Sequence, residues 1–328
     1  IRGYQVMAVN NSLQTTNGKK RLGISAYLSQ DAVKNKINSV IGGKDGQRFI
    51  SAIVSATTTN PALMECTNSS ILSAALVGES LKLSPSPQLG QYYLVPYNSK
   101  DHGKVAQFQL GYKGYIQLAL RSGYYRKLNV VAIKEGELIH FDPLDEKFEV
   151  RLIADEEERE AAETTGYYAM FEYMNGFRKV MYWSKAKMLA HANKYSQAFS
   201  KDGGTIKTKY GEKKKVSYAD FVAGNYDPKD AWMYSSFWYK DFDGMAYKTM
   251  LRQLISKWGI MSIELQTAID ADMAVINEDG TKDYVETEEV EYSEAEVIEE
   301  EPAETVQDEV SVKETRPAPD DVQQALFG

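Results

Sequence analysis

The chain has 328 residues, 43% of them hydrophobic, a formal net charge of −8 and a single cysteine, Cys66. That size supports one sizeable core or two small ones. A lone cysteine excludes an intrachain disulfide and an all-cysteine metal cage, and it fits a reducing, cytoplasmic setting.

Residues 1–23 are polar and lack apolar periodicity, so a flexible segment is expected there. No apolar stretch of a secretory signal follows the first residues. Met7 reads as a natural start, and Ile1–Val6 are set aside. A helical region is expected over Ser25–Thr58, interrupted at Gly42-Gly43. Thr67 or Ser69 can cap a further helix whose Ile71, Leu72, Ala75 and Leu76 share a face, and Pro85 and Pro87 end it. Two strands, Gln91–Tyr97 and Lys104–Leu110, flank a turn, with Ala106, Phe108 and Leu110 on one face and Gln107 and Gln109 on the other. A short helix over Tyr112–Ser122 is closed by Gly123. Strand-like runs continue at Leu128–Lys134, Glu137–Phe141 and Lys147–Ile153, and an acidic turn or short helix at Asp155–Glu163. Asn175-Gly176 between Tyr167–Met174 and Phe177–Trp183 is a strong hairpin signal. Ser184 can cap a helix over Lys185–Phe199. Lys201–Gly224 reads as a loop rich in glycine and lysine, and Ala231–Ile269 as a long helical region. The longest apolar runs, such as Val130-Val131-Ala132-Ile133, fall far short of the roughly 20 residues of a membrane span, so no membrane partner is expected.

The net charge hides a split. Residues 278–328 hold 18 acidic and 3 basic side chains, a net of −15, which leaves +7 on residues 1–277. A basic body with an acidic tail is the asymmetry of a nucleic-acid binder. The tail, poor in large apolar residues, is expected to be disordered. The body, residues 24–277, is the part expected to bind nucleic acid.

Three regions concentrate the candidate contacts. Lys104–Lys134 holds six basic residues and no acidic one, among them Arg126 and Lys127. On its helix Lys113, Gln117 and Arg121 recur at i, i+4 and i+8, a row suited to a phosphate backbone or an ordinary solvated face. The second region, Met174–Tyr218, places Lys187, His191 and Lys194 on one helix face and Lys207 and Lys209 in the lysine loop. Basic loops interleaved with aromatics can track a single strand; a mobile solubilising loop is the alternative. In the third, Lys248 and Arg252 lie one helical turn apart, and Lys240 joins the candidate DNA contacts. Trp232, Trp238 and Tyr239 precede them and read as core or as a subunit interface.

Other chemistry has little support. No G-x-x-x-x-G-K-[ST] phosphate loop occurs, so nothing argues for ATP-driven strand exchange. His102, His140 and His191 lack zinc-ligand spacing, and no cofactor is expected. Cys66 reads as a small buried residue. Asp241 and Asp243 form a D-x-D pair that a Mg²⁺-dependent nuclease could use, although a helix N-terminus also favours Asp. A DNA-bound interaction scaffold is the other alternative. From residues alone the reading is a cytoplasmic nucleic-acid binder of α+β fold.

A resemblance extends this. Leu110-Gly111-Tyr112-Lys113-Gly114-Tyr115-Ile116-Gln117-Leu118-Ala119-Leu120-Arg121-Ser122-Gly123 resembles the signature helix of the RecT family, phage-type single-strand annealing proteins. Val131-Ala132-Ile133-Lys134-Glu135-Gly136-Glu137 follows it as in that family. Asn60–Cys66, Leu81–Pro85 and Met245–Leu254 match further ordered patterns, so the likeness spans about Asn60–Asp272. It implies a small bent antiparallel β-sheet packed against helices, with a basic groove running across neighbouring subunits. It also implies a non-enzymatic factor that binds single-stranded DNA left by a partner exonuclease, anneals complementary strands without nucleotide hydrolysis, keeps hold of the duplex product, and assembles into rings or filaments. The expected groove is Lys113, Gln117 and Arg121 with Lys248 and Arg252, and Lys207 and Lys209 could close over the strand. Val322, Ala325, Leu326 and Phe327, after Asp320-Asp321, form an apolar patch that could dock a phage exonuclease or a host single-strand binding protein.

Overall fold

Gly42, with φ +84°, breaks the first apolar helical run, because a left-handed backbone is open to glycine at no steric cost. The computed structural model describes residues 22–99, 102–208 and 211–284, and it divides that run into α1 (Ile24–Leu28), α2 (Asp31–Ile41) and α3 (Gly43–Thr59). Leu28, Ile37, Phe49 and Ile53 are their buried contribution. A 3-10 turn, Pro61–Glu65, opens on a proline at the first helical position, where a missing N–H removes no bond. It leads to α4 (Asn68–Ser80). Ser70, Ser73 and Ala74 of α4 are buried along with Ile71, Leu72 and Ala75, so this helix is enclosed on more than the expected face. The Ser70 hydroxyl accepts the Ala106 N–H at 2.8 Å and donates to the Thr67 carbonyl at 2.9 Å. Cys66 is buried as well.

The chain continues as β1 (Tyr92–Ser99), β2 (Gly103–Leu110), α5 (Tyr112–Arg121), β3 (Tyr125–Lys134), β4 (Leu138–Asp142), β5 (Lys147–Val150), α6 (Glu156–Ala161), β6 (Thr164–Tyr173), β7 (Arg178–Ser184) and α7 (Lys185–Tyr195). Then come β8 (Gly204–Thr208), β9 (Gly211–Lys215), α8 (Tyr218–Val222), a 3-10 segment Pro228–Tyr234, α9 (Phe237–Lys240), α10 (Phe242–Trp258), α11 (Ile263–Ala271), β10 (Ala274–Ile276) and β11 (Lys282–Tyr284). The fold is α+β, with antiparallel strands against helices. Its strands form a four-stranded sheet in the order β1-β2-β10-β11, a three-stranded sheet β3-β6-β7, and the hairpins β4-β5 and β8-β9.

α10 is the central helix. Ala246, Met250, Leu251, Leu254 and Ile255 are fully buried, and the helix packs against β3, β6 and β7 as well as α5 and α9. The other face of the three-stranded sheet buries Ile133, Tyr168, Met170 and Val180 beneath β4-β5. Phe148 of that hairpin stacks on Tyr168 at 4.3 Å.

Two expectations are revised. The Lys201–Gly224 stretch holds the β8-β9 hairpin and α8 in addition to loop. The ordered chain also passes Asn277, because β11 pairs with β10, Ile276 opposite Lys282. Of the segment 1–23 expected to be flexible, residues 1–21 lie outside the described residues, as do residues 285–328 of the expected tail 278–328. Among the described residues no helix is long and apolar enough to cross a membrane.

Candidate nucleic-acid interface

The signature helix is positioned by two glycines. A Cβ on Gly111 would lie 2.2 Å from the Gly90 carbonyl oxygen, and one on Gly114 would lie 2.2 Å from that of Gln91. The first turn of α5 therefore rests directly on the Gly90-Gln91 backbone, and the Gly111 N–H donates to the Gln91 carbonyl at 2.9 Å. Tyr115, Leu118 and Ala119 face the core, while Lys113 and Gln117 are exposed on the opposite side. Arg121 is also exposed, but its guanidinium donates to the carbonyls of Leu81 at 2.6 Å and Lys82 at 3.3 Å. Those carbonyls follow the C-terminus of α4, where a cation is favoured. Arg121 thus ties α5 to α4, and the outward row begins with Lys113 and Gln117.

Beside this helix lies a cleft of about 680 Å³. One wall is the face of β1-β2 that carries Tyr93, Val95 and Tyr97 opposite Gln109 and Gln107. The other includes Ser235, Phe237 and Lys240, with Asn60 and Gln197 further along. Tyr93 packs against Phe237 with ring centroids 5.3 Å apart. Its hydroxyl pKa is raised, first by burial and then by the charge of Asp241, so it remains a neutral donor. The buried Gln107 amide donates to the Met273 carbonyl and accepts from Gln109 Nε2 at 3.1 Å. Among the described residues lining the cleft none is acidic, and Lys240 is its charged group.

The remaining candidates are dispersed. Arg126 and Lys127 both pair with Glu172, at 3.2 and 3.7 Å, and keep more than half of their side-chain surface exposed. On α7, Lys187 is exposed over the Trp183 ring at 4.2 Å, and Lys194 over Tyr195 at 4.8 Å. His191 between them is buried against the same two rings, so it does not share their solvent face. Lys207 lies in β8 opposite Glu212, and Lys209 falls outside the described residues.

Lys248 and Arg252 are engaged inside the fold, although Lys248 also borders a small pocket with Tyr93, Tyr112, Phe237 and Asp241. Lys248 is 2% exposed, and both cations pair with the fully buried Asp272 carboxylate at 2.9 and 3.0 Å. Of the aromatic trio, Trp238 and Tyr239 are core residues, whereas Trp232 is 51% exposed. Asp241 caps α10 by accepting the Gly244 N–H at 2.9 Å, and Asp243 accepts the Tyr167 hydroxyl at 2.6 Å. Among the described residues no group of three or more His, Cys, Asp or Glu is placed to hold a metal ion. Sequence reading did not single out Tyr93 and Tyr97, and it took Phe237 only as part of the aromatic run with Trp238 and Tyr239, a candidate subunit contact. The available signal was the alternation along β1, which puts Tyr93 and Tyr97 on the same face as Gln107 and Gln109 once the strands pair.

These features define an α+β protein with an exposed basic helix adjoining an aromatic cleft that has no carboxylate among its described lining residues. A sequence model described as the RecT family matches residues 47–291, and the chain belongs to that family. It is 36% identical over 289 residues to the uncharacterized protein YqaK of Bacillus subtilis (strain 168), covering 85% of this chain and 84% of that one. It is 29% identical over 273 residues to protein RecT of Escherichia coli (strain K12), covering 79% of this chain and 86% of that one.

Proposed function

We propose that this chain binds single-stranded DNA through the sugar–phosphate backbone and anneals complementary strands in homologous recombination. In this reading it works as a ring or filament of identical subunits, without nucleotide hydrolysis. The observation that carries it is the exposed pair Lys113 and Gln117 on the helix that also bears the family resemblance, next to a cleft whose described lining residues include no carboxylate. Annealing needs phosphates held while Watson–Crick edges stay free, and lysine and amide donors hold a backbone without reading its sequence. Lys187, Lys194, Lys240, Arg126 and Lys127 are further exposed cations, dispersed over the surface, that this reading takes as additional phosphate contacts, and Lys207 and Lys209 are the candidates for closing over the strand. Trp232 is the remaining candidate of the aromatic trio for a subunit contact. A phage exonuclease or a host single-strand binding protein is the partner class proposed for the tail.

The test is annealing of two complementary oligonucleotides, one fluorescently quenched on pairing, with purified protein and no nucleotide. The expected outcome is pairing well above the spontaneous rate. A strict ATP requirement, or no acceleration, would overturn the proposal.

A further inference from the structure

We infer that the cleft between the β1-β2 face and the Ser235–Lys240 segment is a binding site for unpaired nucleobases of single-stranded DNA. This rests on the DNA-binding reading above and adds base contacts to its phosphate contacts.

Three observations carry it. The first is chemistry. Half-buried Tyr93, Tyr97 and Phe237 supply aromatic rings, while Gln109, Asn60 and Gln197 supply amides that both donate and accept. Unpaired bases are recognised by aromatic stacking and by hydrogen bonds to their exposed edges. A volume of about 680 Å³ falls among sites that enclose small molecules, about 300–1,000 Å³. The second is charge. The chain has 46 acidic residues, yet none is found among the described residues that line this cleft; Asp241 lies in the small adjoining pocket and caps α10, which leaves the cleft itself suited to an occupant tethered to phosphates. The third is continuity. Gly90 has the Tyr93 hydroxyl 3.0 Å and the Lys113 side chain 3.4 Å from its ideal Cβ position. The exposed lysine of α5 and the rim of the cleft thus meet at one glycine, so a strand held at Lys113 has its bases beside Tyr93.

The edge of β1 argues against an extended peptide as the occupant. Gly111 donates to Gln91, whereas Phe108 accepts from Met273 on the far side of β2. By antiparallel alternation Tyr93, Val95 and Tyr97 bond to β2, while Leu94 and Pro96 turn their backbone groups outward. Pro96 has no N–H to offer at that outward position, which blunts the edge toward an added strand. A base in the cleft is withheld from pairing, so the bases outside it keep the free Watson–Crick edges that start annealing, and occupancy of the cleft ends as the complement arrives.

The experiment compares two strands of equal length, oligothymidylate and a fully abasic oligomer with the same sugar–phosphate backbone, by fluorescence anisotropy at several salt concentrations. The full chain should bind the base-bearing strand about tenfold or more tighter, as expected for base–aromatic stacking. The double variant Tyr93→Leu, Tyr97→Leu should lose most of that preference, with unchanged affinity for the abasic strand and an unchanged salt slope. Equal wild-type affinity for both strands, or a preference kept in the variant, would overturn the cleft site and leave phosphate binding standing. Equal weakening on both strands would mark the cleft as a protein contact and also overturn it. Failure to bind either strand would overturn the DNA-binding reading and the cleft with it. Should the variant fail to fold, photo-crosslinking of wild type to an iodouracil-substituted strand decides. Adducts on peptides containing Tyr93, Tyr97 or Phe237 are expected, and adducts only elsewhere would overturn the proposal.

Discussion

The Asp272 carboxylate accepts from Lys248 Nζ at 2.9 Å, from Arg252 Nη1 at 3.0 Å and from the Leu110 N–H at 2.8 Å. It joins the end of α11, the middle of α10 and the residue that leads into α5. Removing one member of a buried pair strands the other charge, at a cost of about 3–5 kcal/mol. Asp272→Ala should therefore lower stability in urea by about that amount, and Lys248→Ala should destabilise while leaving the salt dependence of DNA binding unchanged. Lys113→Ala should do the reverse. Its stability should hold, and the plot of log affinity against log salt should flatten by roughly 0.7, one phosphate contact on a single strand. If Lys248→Ala flattens the plot and Lys113→Ala does not, the assignment of the two lysines is inverted. Lys215 gives a pH-dependent case. Its Nζ donates to the Ala198 carbonyl at 2.7 Å and lies 4.5 Å from the centre of the Tyr239 ring. Burial pushes its pKa from 10.5 down to about 8. Between those values the unfolded chain binds the proton and the folded chain does not, so this residue's effect on stability grows more favourable as pH rises. Lys215→Met should be the more stable protein near pH 7, and its advantage should shrink between pH 8 and 10 in urea titrations. A gap independent of pH would show that the lysine is charged throughout.

At the scale of elements, α5 shows local propensity opposed by packing. Gly114→Ala would favour the helix by about 1 kcal/mol, but the new methyl would meet the Gln91 carbonyl oxygen at 2.2 Å and Leu110 Cδ1 at 2.8 Å. Overpacking costs about 1–3 kcal/mol, and here the obstacle is backbone, so the clash should win. The variant should melt at a lower temperature and bind single strands more weakly, because Lys113 moves with the helix. A rise in melting temperature would show that α5 can shift without loss. The same comparison of local and tertiary signals explains what was legible in the sequence. Alternation and turn residues placed β1, β2, β6 and β7, because their apolar faces are continuous. Asn175-Gly176 marked the hairpin, although the loop runs from Tyr173 to Phe177 with Gly176 at φ +88°, longer than the tightest Asn-Gly turn. β8-β9 was not visible as strands, since Gly204–Thr208 and Gly211–Lys215 offer Ile206 as their one aliphatic residue and are held by backbone pairing. The long helical region expected over Ala231–Ile269 is cut at Ser235-Ser236, at Asp241, whose side chain caps α10, and after Trp258. Among the candidate contacts, spacing alone could not tell Lys113 from Lys248. Both recur one turn from a polar neighbour, and only the distant Asp272 makes the second a buried ion pair.

For the whole molecule the governing quantity is the division of charge between a body of net +7 and residues 278–328 of net −15. A segment of that sign cannot favour binding to phosphates, so the roles to be tested are competition for the cations of the body, docking of a partner and simple solubilisation. Where to cut is set by the fold. Truncation after Asn277 removes β11, whose pairing with β10 continues the sheet that also contains β2 and the cleft face. Truncation after Tyr284 keeps that pairing and the bond from the Tyr284 hydroxyl to the Asp270 carbonyl at 2.8 Å. The two cuts should therefore differ. The longer protein should melt like wild type and anneal naked strands at the same rate or faster. The gain should be largest at low salt, where the Debye length is about 30 Å at 0.01 M, and should fade near 0.15 M, where it is about 8 Å. The shorter protein should lose stability first and annealing as a consequence. Annealing rates at the two salt concentrations, with melting curves for both truncations, provide the measurement. If the protein ending at Tyr284 is folded yet no longer anneals, part of the DNA-binding surface must lie beyond Tyr284, and the acidic segment cannot be a competitor.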